Sequence, residues 1–119
     1  MADEFHPDLS RLNDLVGEFI SERDWGQYHR PKDVAAALAI EAAELQELYL
    51  WDRSPEREEL EDELGDIFFF LLDMGMRENI DIIDALKKKL EKNEIKYPAH
   101  LVKGSDAKYT KYQMDDREG

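Results

Sequence analysis

Residues 41–66 read EAAELQELYLWDRSPEREELEDELGD, and this stretch decides the fold. Its two ends carry acids at the same spacing, Glu41 with Glu44 and Glu63 with Asp66. Residues three apart share one face of a helix. Glu41 also falls on the line Val34, Leu38, Glu41, Leu45 and Leu48, where helical periodicity calls for an apolar side chain. Leu60, Leu64, Ile67 and Leu71 form a second stripe, flanked by Glu63 and Asp66. The connection centres on Trp51 to Ser54, with Glu44 and Glu63 at similar distances on either side, so antiparallel helices bring the two pairs level. Two like charges about 4 Å apart repel by about 4 kcal/mol at an effective dielectric near 20. Four such groups at one point either take up protons or bind a cation. All-oxygen ligands favour Mg²⁺, or Mn²⁺, over zinc. The competing reading is a solvated acidic face, of which Glu56, Glu58, Glu59, Glu61 and Asp62 are examples.

Outward from this stretch the chain keeps a helical rhythm. Leu9, Leu12, Leu15, Val16, Phe19 and Ile20 predict a first helix from Asp8 to about Arg23, after a flexible segment 1–7. Residues 24–33 interrupt it with Gly26, Pro31 and the rings of Trp25, Tyr28 and His29. A second helix is expected from about Lys32 to Leu50. Ser54-Pro55-Glu56 reads as the start of a third, with Ser54 as N-cap, running to about Arg77. Its middle, Ile67 to Leu72, is apolar on every side, and such a helix must be covered all round. A bundle of this size cannot do that alone, which predicts a homo-oligomer. Asp81 opens a fourth helix to about Lys96, with Ile83, Leu86 and Leu90 inward and Asn93 on the same stripe; Tyr97-Pro98 ends it. The organisation is therefore a helical domain over 8–98 and an arm over 99–119. The fold class is all-α, a four-helix bundle with short connections.

The chain has 119 residues, enough for one domain. Its 16 basic and 29 acidic residues give a formal charge of −13, which repels phosphate backbones and anionic lipid, so neither nucleic acid nor membrane is expected as a partner. There is no cysteine, which removes disulfides, thiolate zinc sites and a thiol nucleophile. No apolar run approaches the roughly 20 residues of a membrane span, and Met1 to His6 do not resemble a secretion signal. A soluble, cytoplasmic protein is expected. A di-iron bundle would place Glu-x-x-His on its helices, whereas His6, His29 and His100 fall in loops or tails.

Glu41-x-x-Glu44, a gap of 18 residues and Glu63-x-x-Asp66 resemble the signature of the all-α nucleoside triphosphate pyrophosphohydrolases, the MazG-like superfamily. Within it, Glu22-Arg23-Asp24-Trp25-x-Gln27-Tyr28-His29-x-Pro31, Leu48-Tyr49-Leu50-Trp51, Asn93 with Tyr97-Pro98-Ala99-His100-Leu101, and Lys108-Tyr109-Thr110 resemble the dCTP pyrophosphatase branch. The likeness spans about residues 9–110. It implies Mg²⁺-dependent cleavage of a deoxynucleoside triphosphate between the α and β phosphates, in nucleotide-pool cleaning, by a tetramer built as a dimer of dimers. Glu44, Glu63 and Asp66 would hold the metal, with Glu41 a further ligand or the base that orients water. Lys89 and Asn93 would contact phosphate or sugar, Trp25 and Trp51 would frame the base, and His29 would lie near it. Lys108 and Tyr109 would reach a neighbouring subunit's site. The sequence departs from the branch at Val16, where a His is expected, and at Phe70, where a Tyr is expected. These changes leave the base preference open among dCTP, modified dCTP, dUTP, dATP and damaged nucleotides. A non-catalytic nucleotide-binding bundle is the alternative from another class.

Overall fold

A computed structural model describes residues 5–104. In chain order the helices are α1 (Pro7–Glu22), α2 (Pro31–Glu47), α3 (Arg57–Arg77), α4 (Ile82–Lys96) and the short α5 (Ala99–Val102), with 3-10 turns at Trp25–Tyr28 and Leu50–Asp52. No strand occurs among the described residues. The chain divides into two compact units, the first ending at Ile82 and the second beginning at Ile83. No helix among the described residues is long and apolar enough to cross a membrane.

Local chemistry accounts for the boundaries. Pro7 and Pro31 each open a helix, where a missing N–H costs no hydrogen bond. The imidazole Nδ1 of His6 accepts from the Asp8 amide at 3.2 Å. The start of α3 corrects the expectation that Ser54 is its N-cap. Glu56 caps it instead, and its amide donates to Glu59 Oε1 at 3.1 Å, the reciprocal arm of a capping box. The second helix also stops at Glu47, three residues short of the expected Leu50, because the backbone turns left-handed at Trp51 (φ 62°) and Asp52 (φ 59°). At the far end of α3, Ile80 N–H donates to Gly75 O at 2.8 Å and Asn79 N–H to Met76 O at 3.3 Å. With Asn79 left-handed at φ 54°, this is a Schellman termination. Gly75 permits it: a Cβ there would meet Ile82 Cγ2 at 2.8 Å and Ile80 O at 3.0 Å.

Within the first unit α2 packs chiefly on α3, and α1 also packs on α3. On α2 the expected inward line is the observed one: Val34 is buried, and Leu38, Glu41, Leu45 and Leu48 are half-buried among exposed neighbours. The fully enclosed apolar side chains are few, Leu9, Ile20, Val34 and Leu72. The apolar middle of α3 stays partly wet in the single chain, with Leu64 49%, Phe68 45% and Leu71 40% exposed. In the second unit Leu86 and Leu90 of α4, expected inward, are exposed, while Ile83 and Asn93 are half-buried. Residues 99–102, expected to belong to an arm, form the helical turn α5.

Candidate active site

The α2–α3 pairing carries the acids to one place. One carboxylate oxygen from each of Glu41, Glu44 and Glu63 lies within 4.8 Å of the others. Glu41 and Glu63 are half-buried and Glu44 is exposed, so the cluster opens to solvent on one side. Asp66 lies one turn along α3 from Glu63 and, with Glu41, borders a cavity of about 440 Å³. The expected quartet is thus a tight triad with Asp66 at its cavity side.

Electrostatics show what such a cluster does without a cation. The carboxyl of Glu41 is pushed up to about 8, first by a hydrogen bond to Glu63, then by burial, then by a hydrogen bond to Glu44 and repulsion from both. As bare carboxylates none of these groups can donate, and Glu41 Oε2 and Glu63 Oε1 are buried with no hydrogen-bond partner. The pair is therefore satisfied in two ways, by a shared proton or by a cation. Buried, unpartnered anionic oxygens in an all-carboxylate set fit a hard divalent ion such as Mg²⁺ or Mn²⁺.

The cavity beside the acids is apolar elsewhere. Leu15, Val16 and Phe19 line it from α1, Trp25 from the first 3-10 turn, and Phe69 and Phe70 from α3. The aromatic walls brace one another edge to face. Phe19 meets Trp25 at 5.8 Å between centroids and Phe69 at 5.9 Å, and Phe69 meets Phe70 at 5.1 Å. The guanidinium of Arg23 lies 3.7 Å over the Phe19 ring. An open cavity of this size, walled by rings and bordered by acids, suits a flat heterocycle attached to a group that the acids hold through a cation. Val16 and Phe70, the two departures from the family pattern, both line it.

The other expected site residues lie as follows. Trp25 forms part of the cavity wall, whereas Trp51 is 92% exposed. His29 stands behind Trp25, its Nδ1 2.6 Å from Asp73 Oδ2, and borders a smaller cavity of about 190 Å³. Lys89 and Asn93 sit on α4 in the second unit, and the Asn93 carbonyl accepts from the Tyr97 amide at 2.7 Å. Lys108 and Tyr109 lie outside the described residues. Four contributors went unremarked in the sequence: Leu15, Phe19, Phe69 and Asp73. The first three belong to apolar stripes and carry no signal of their own. Asp73 follows Asp66 by seven residues and precedes Arg77 by four, which places all three on one face of α3.

Comparison with known proteins gives a consistent picture. No protein-family model matches the chain. It is 38% identical to dCTP pyrophosphatase 1 of Mus musculus over 114 residues, covering 87% of this chain and 67% of that protein. The same protein from Bos taurus is 39% identical, and 68% of its length is covered. Among solved structures, a pyrophosphatase from Archaeoglobus fulgidus superposes with a TM-score of 0.73 at 38% identity, covering 80% of this chain and 96% of that one.

Proposed function

The chain belongs to the dCTP pyrophosphatase family of all-α nucleoside triphosphate pyrophosphohydrolases, and from that premise we propose that it cleaves a deoxynucleoside triphosphate to monophosphate and pyrophosphate. The preferred substrate in this reading is dCTP or a modified dCTP. The observation that carries it is the triad Glu41, Glu44 and Glu63, with two buried unpartnered oxygens, beside a ring-walled cavity.

Glu44, Glu63 and Asp66, with Glu41, would hold Mg²⁺. Bound there, the cation offsets triphosphate charge and makes water easier to deprotonate. Glu41 is a further ligand or the base: its Oε2 is buried without a partner, so as a carboxylate beside the cation it is placed to accept the proton of the attacking water. Trp25 stacks on the base, with Phe19, Phe69 and Phe70 keeping water from it. Lys89 and Asn93 are assigned to phosphate or sugar. His29 acts from behind Trp25 rather than on the base itself.

A pyrophosphate-release screen over the natural dNTPs and NTPs and 5-methyl-dCTP tests this. Mg²⁺-dependent, equimolar monophosphate and pyrophosphate is the expected result, fastest with a cytosine nucleotide. Tight nucleotide binding with no turnover at saturating Mg²⁺ would replace it with the regulatory reading. A second substrate reading has its own support: Val16 and Phe70 leave the walls without a hydroxyl or imidazole to read a base edge. A profile led by dUTP, dATP or an oxidised nucleotide would select it.

The assembly is assigned as a homotetramer, a dimer of dimers. The exposed apolar positions of α3 and the left-handed, exposed Trp51 support a partner copy. Trp51, Lys108 and Tyr109 would then serve a neighbouring site. Light scattering should give a multiple of the 14.0 kDa protomer at micromolar concentration; the protomer mass itself would remove this assignment.

A further inference from the structure

We infer that Asp73 is a positioning residue, which acts through His29 to fix Trp25 against the cavity; this rests on the reading that the cavity takes the nucleobase. Asp73 is 1% exposed, and among the described residues it is the one buried charged side chain. A carboxylate in that place is costly unless both oxygens are used. Here they are: Oδ2 lies 2.6 Å from His29 Nδ1, and Oδ1 accepts from Arg77 Nε at 3.0 Å. Because a carboxylate only accepts, Nδ1 carries the proton, which sets the tautomer and the plane of the imidazole.

That plane matters because of what it faces. The His29 ring stacks on Trp25 at 6.4 Å with 28° between planes, and its other neighbour is Phe70 at 6.2 Å. Trp25 therefore contacts two rings, stacked with His29 and edge to face with Phe19. The same ion pair underlies the turn's backbone. His29 N–H donates to Gly26 O at 3.2 Å, and a Cβ on Gly26 would lie 3.8 Å from the Arg77 guanidinium. His29 and Arg77, which both lie against the Trp25–Tyr28 turn, are thus tied to one buried carboxylate on α3. An apolar residue would fill the same volume without desolvation cost, so a packing role alone does not call for an acid. Pre-setting an aromatic wall before the ligand arrives does, because ordering it on binding weakens affinity.

The test compares Asp73→Leu, His29→Leu, the double variant and Trp25→Ala, all on full-length enzyme. Asp73→Leu and His29→Leu should each raise KM about tenfold with kcat within about twofold, the pattern of lost uniform binding. The double variant should be no worse than either single one, because both act along one path. In protein labelled with 5-fluorotryptophan, the Trp25 resonance should shift and broaden in both single variants, without substrate, while that of Trp51 stays in place. Unchanged KM with an unmoved Trp25 resonance overturns the inference, as does an additive double variant. If Asp73→Leu does not fold, His29→Leu decides by the same two readouts. Trp25→Ala separates the levels. If it leaves KM unchanged, the base-binding reading of the cavity fails; if it raises KM while the other variants do not, only the role of Asp73 fails.

Discussion

Glu63→Gln should abolish pyrophosphate release, with kcat reduced on the order of 10³-fold or more, while the metal-free protein becomes more stable above about pH 8. Both effects have one cause. Glu63 projects from α3 toward Glu41 and Glu44 on α2, and its Oε1 is buried without a partner. An amide of the same shape removes one anionic ligand and places an N–H₂ beside the Glu41 carboxylate. Glu41 then accepts that hydrogen bond instead of a water proton, so the base is blocked as well as the cation weakened. Losing about 4 kcal/mol of transition-state stabilisation corresponds to about 10³ in rate. Above about pH 8, where Glu41 is ionised, stability moves the other way, because one of the three crowded carboxylates is gone; about 1 kcal/mol, or a few degrees in Tm, is a fair expectation in chelator. Far-UV circular dichroism should not change. Pyrophosphate release at wild-type rate would remove these acids from the reaction.

Opposite movement of stability and activity also explains which parts of the fold were legible in advance. The interior line of α2 contains an acid, and that acid alone made the line informative: Glu41 took the half-buried place its spacing demanded, level with Glu63. Sequence periodicity reports what faces a core, and a violation of it reports what faces a site. Boundaries were harder, because rival local signals compete. Ser54 and Pro55 make a good helix start, yet the capping pair Glu56 and Glu59 sets the actual one. Nothing near Trp51 announces a left-handed backbone, since only tertiary context overrides its helical neighbours.

The cavity walls were legible only in part, for a different reason. Phe19 and Phe69 follow the same apolar rhythm as residues that fill the core, and periodicity does not say which side chains meet a void. The family resemblance implied a place near the base for His29. In the structure its Nδ1 lies 2.6 Å from Asp73 Oδ2, and that relation joins residues 44 positions apart in the chain. No local pattern encodes it. The pairing of Asp73 with Arg77 at i and i+4 was visible, yet on sequence grounds it resembles any surface ion pair.

Metal affinity and metal-free stability should both depend on the proton held by Glu41, in opposite senses. Its carboxyl is raised from 4.5 to about 8, first by the hydrogen bond with Glu63, then by burial and by Glu44. Between those values the folded state keeps a proton that the unfolded state has released. The stabilising contribution is therefore complete below about 4.5 and is lost as pH rises through about 8. In chelator, Tm should fall between pH 5 and pH 8, by at most about 1.4 kcal/mol of stability per pH unit from this group. A divalent cation competes with the same proton, so apparent Mg²⁺ affinity should climb toward tenfold per pH unit below about 8 and level off above it. Calorimetry in buffers of different ionisation heat reads the proton directly: release approaches one per ion at pH 6 to 7 and vanishes by about pH 9. Glu41→Gln isolates the group from the other acids, because it should flatten both the stability slope and the affinity slope. Mg²⁺ affinity independent of pH in the wild-type protein would mean that the cation and the Glu41 proton do not share a site.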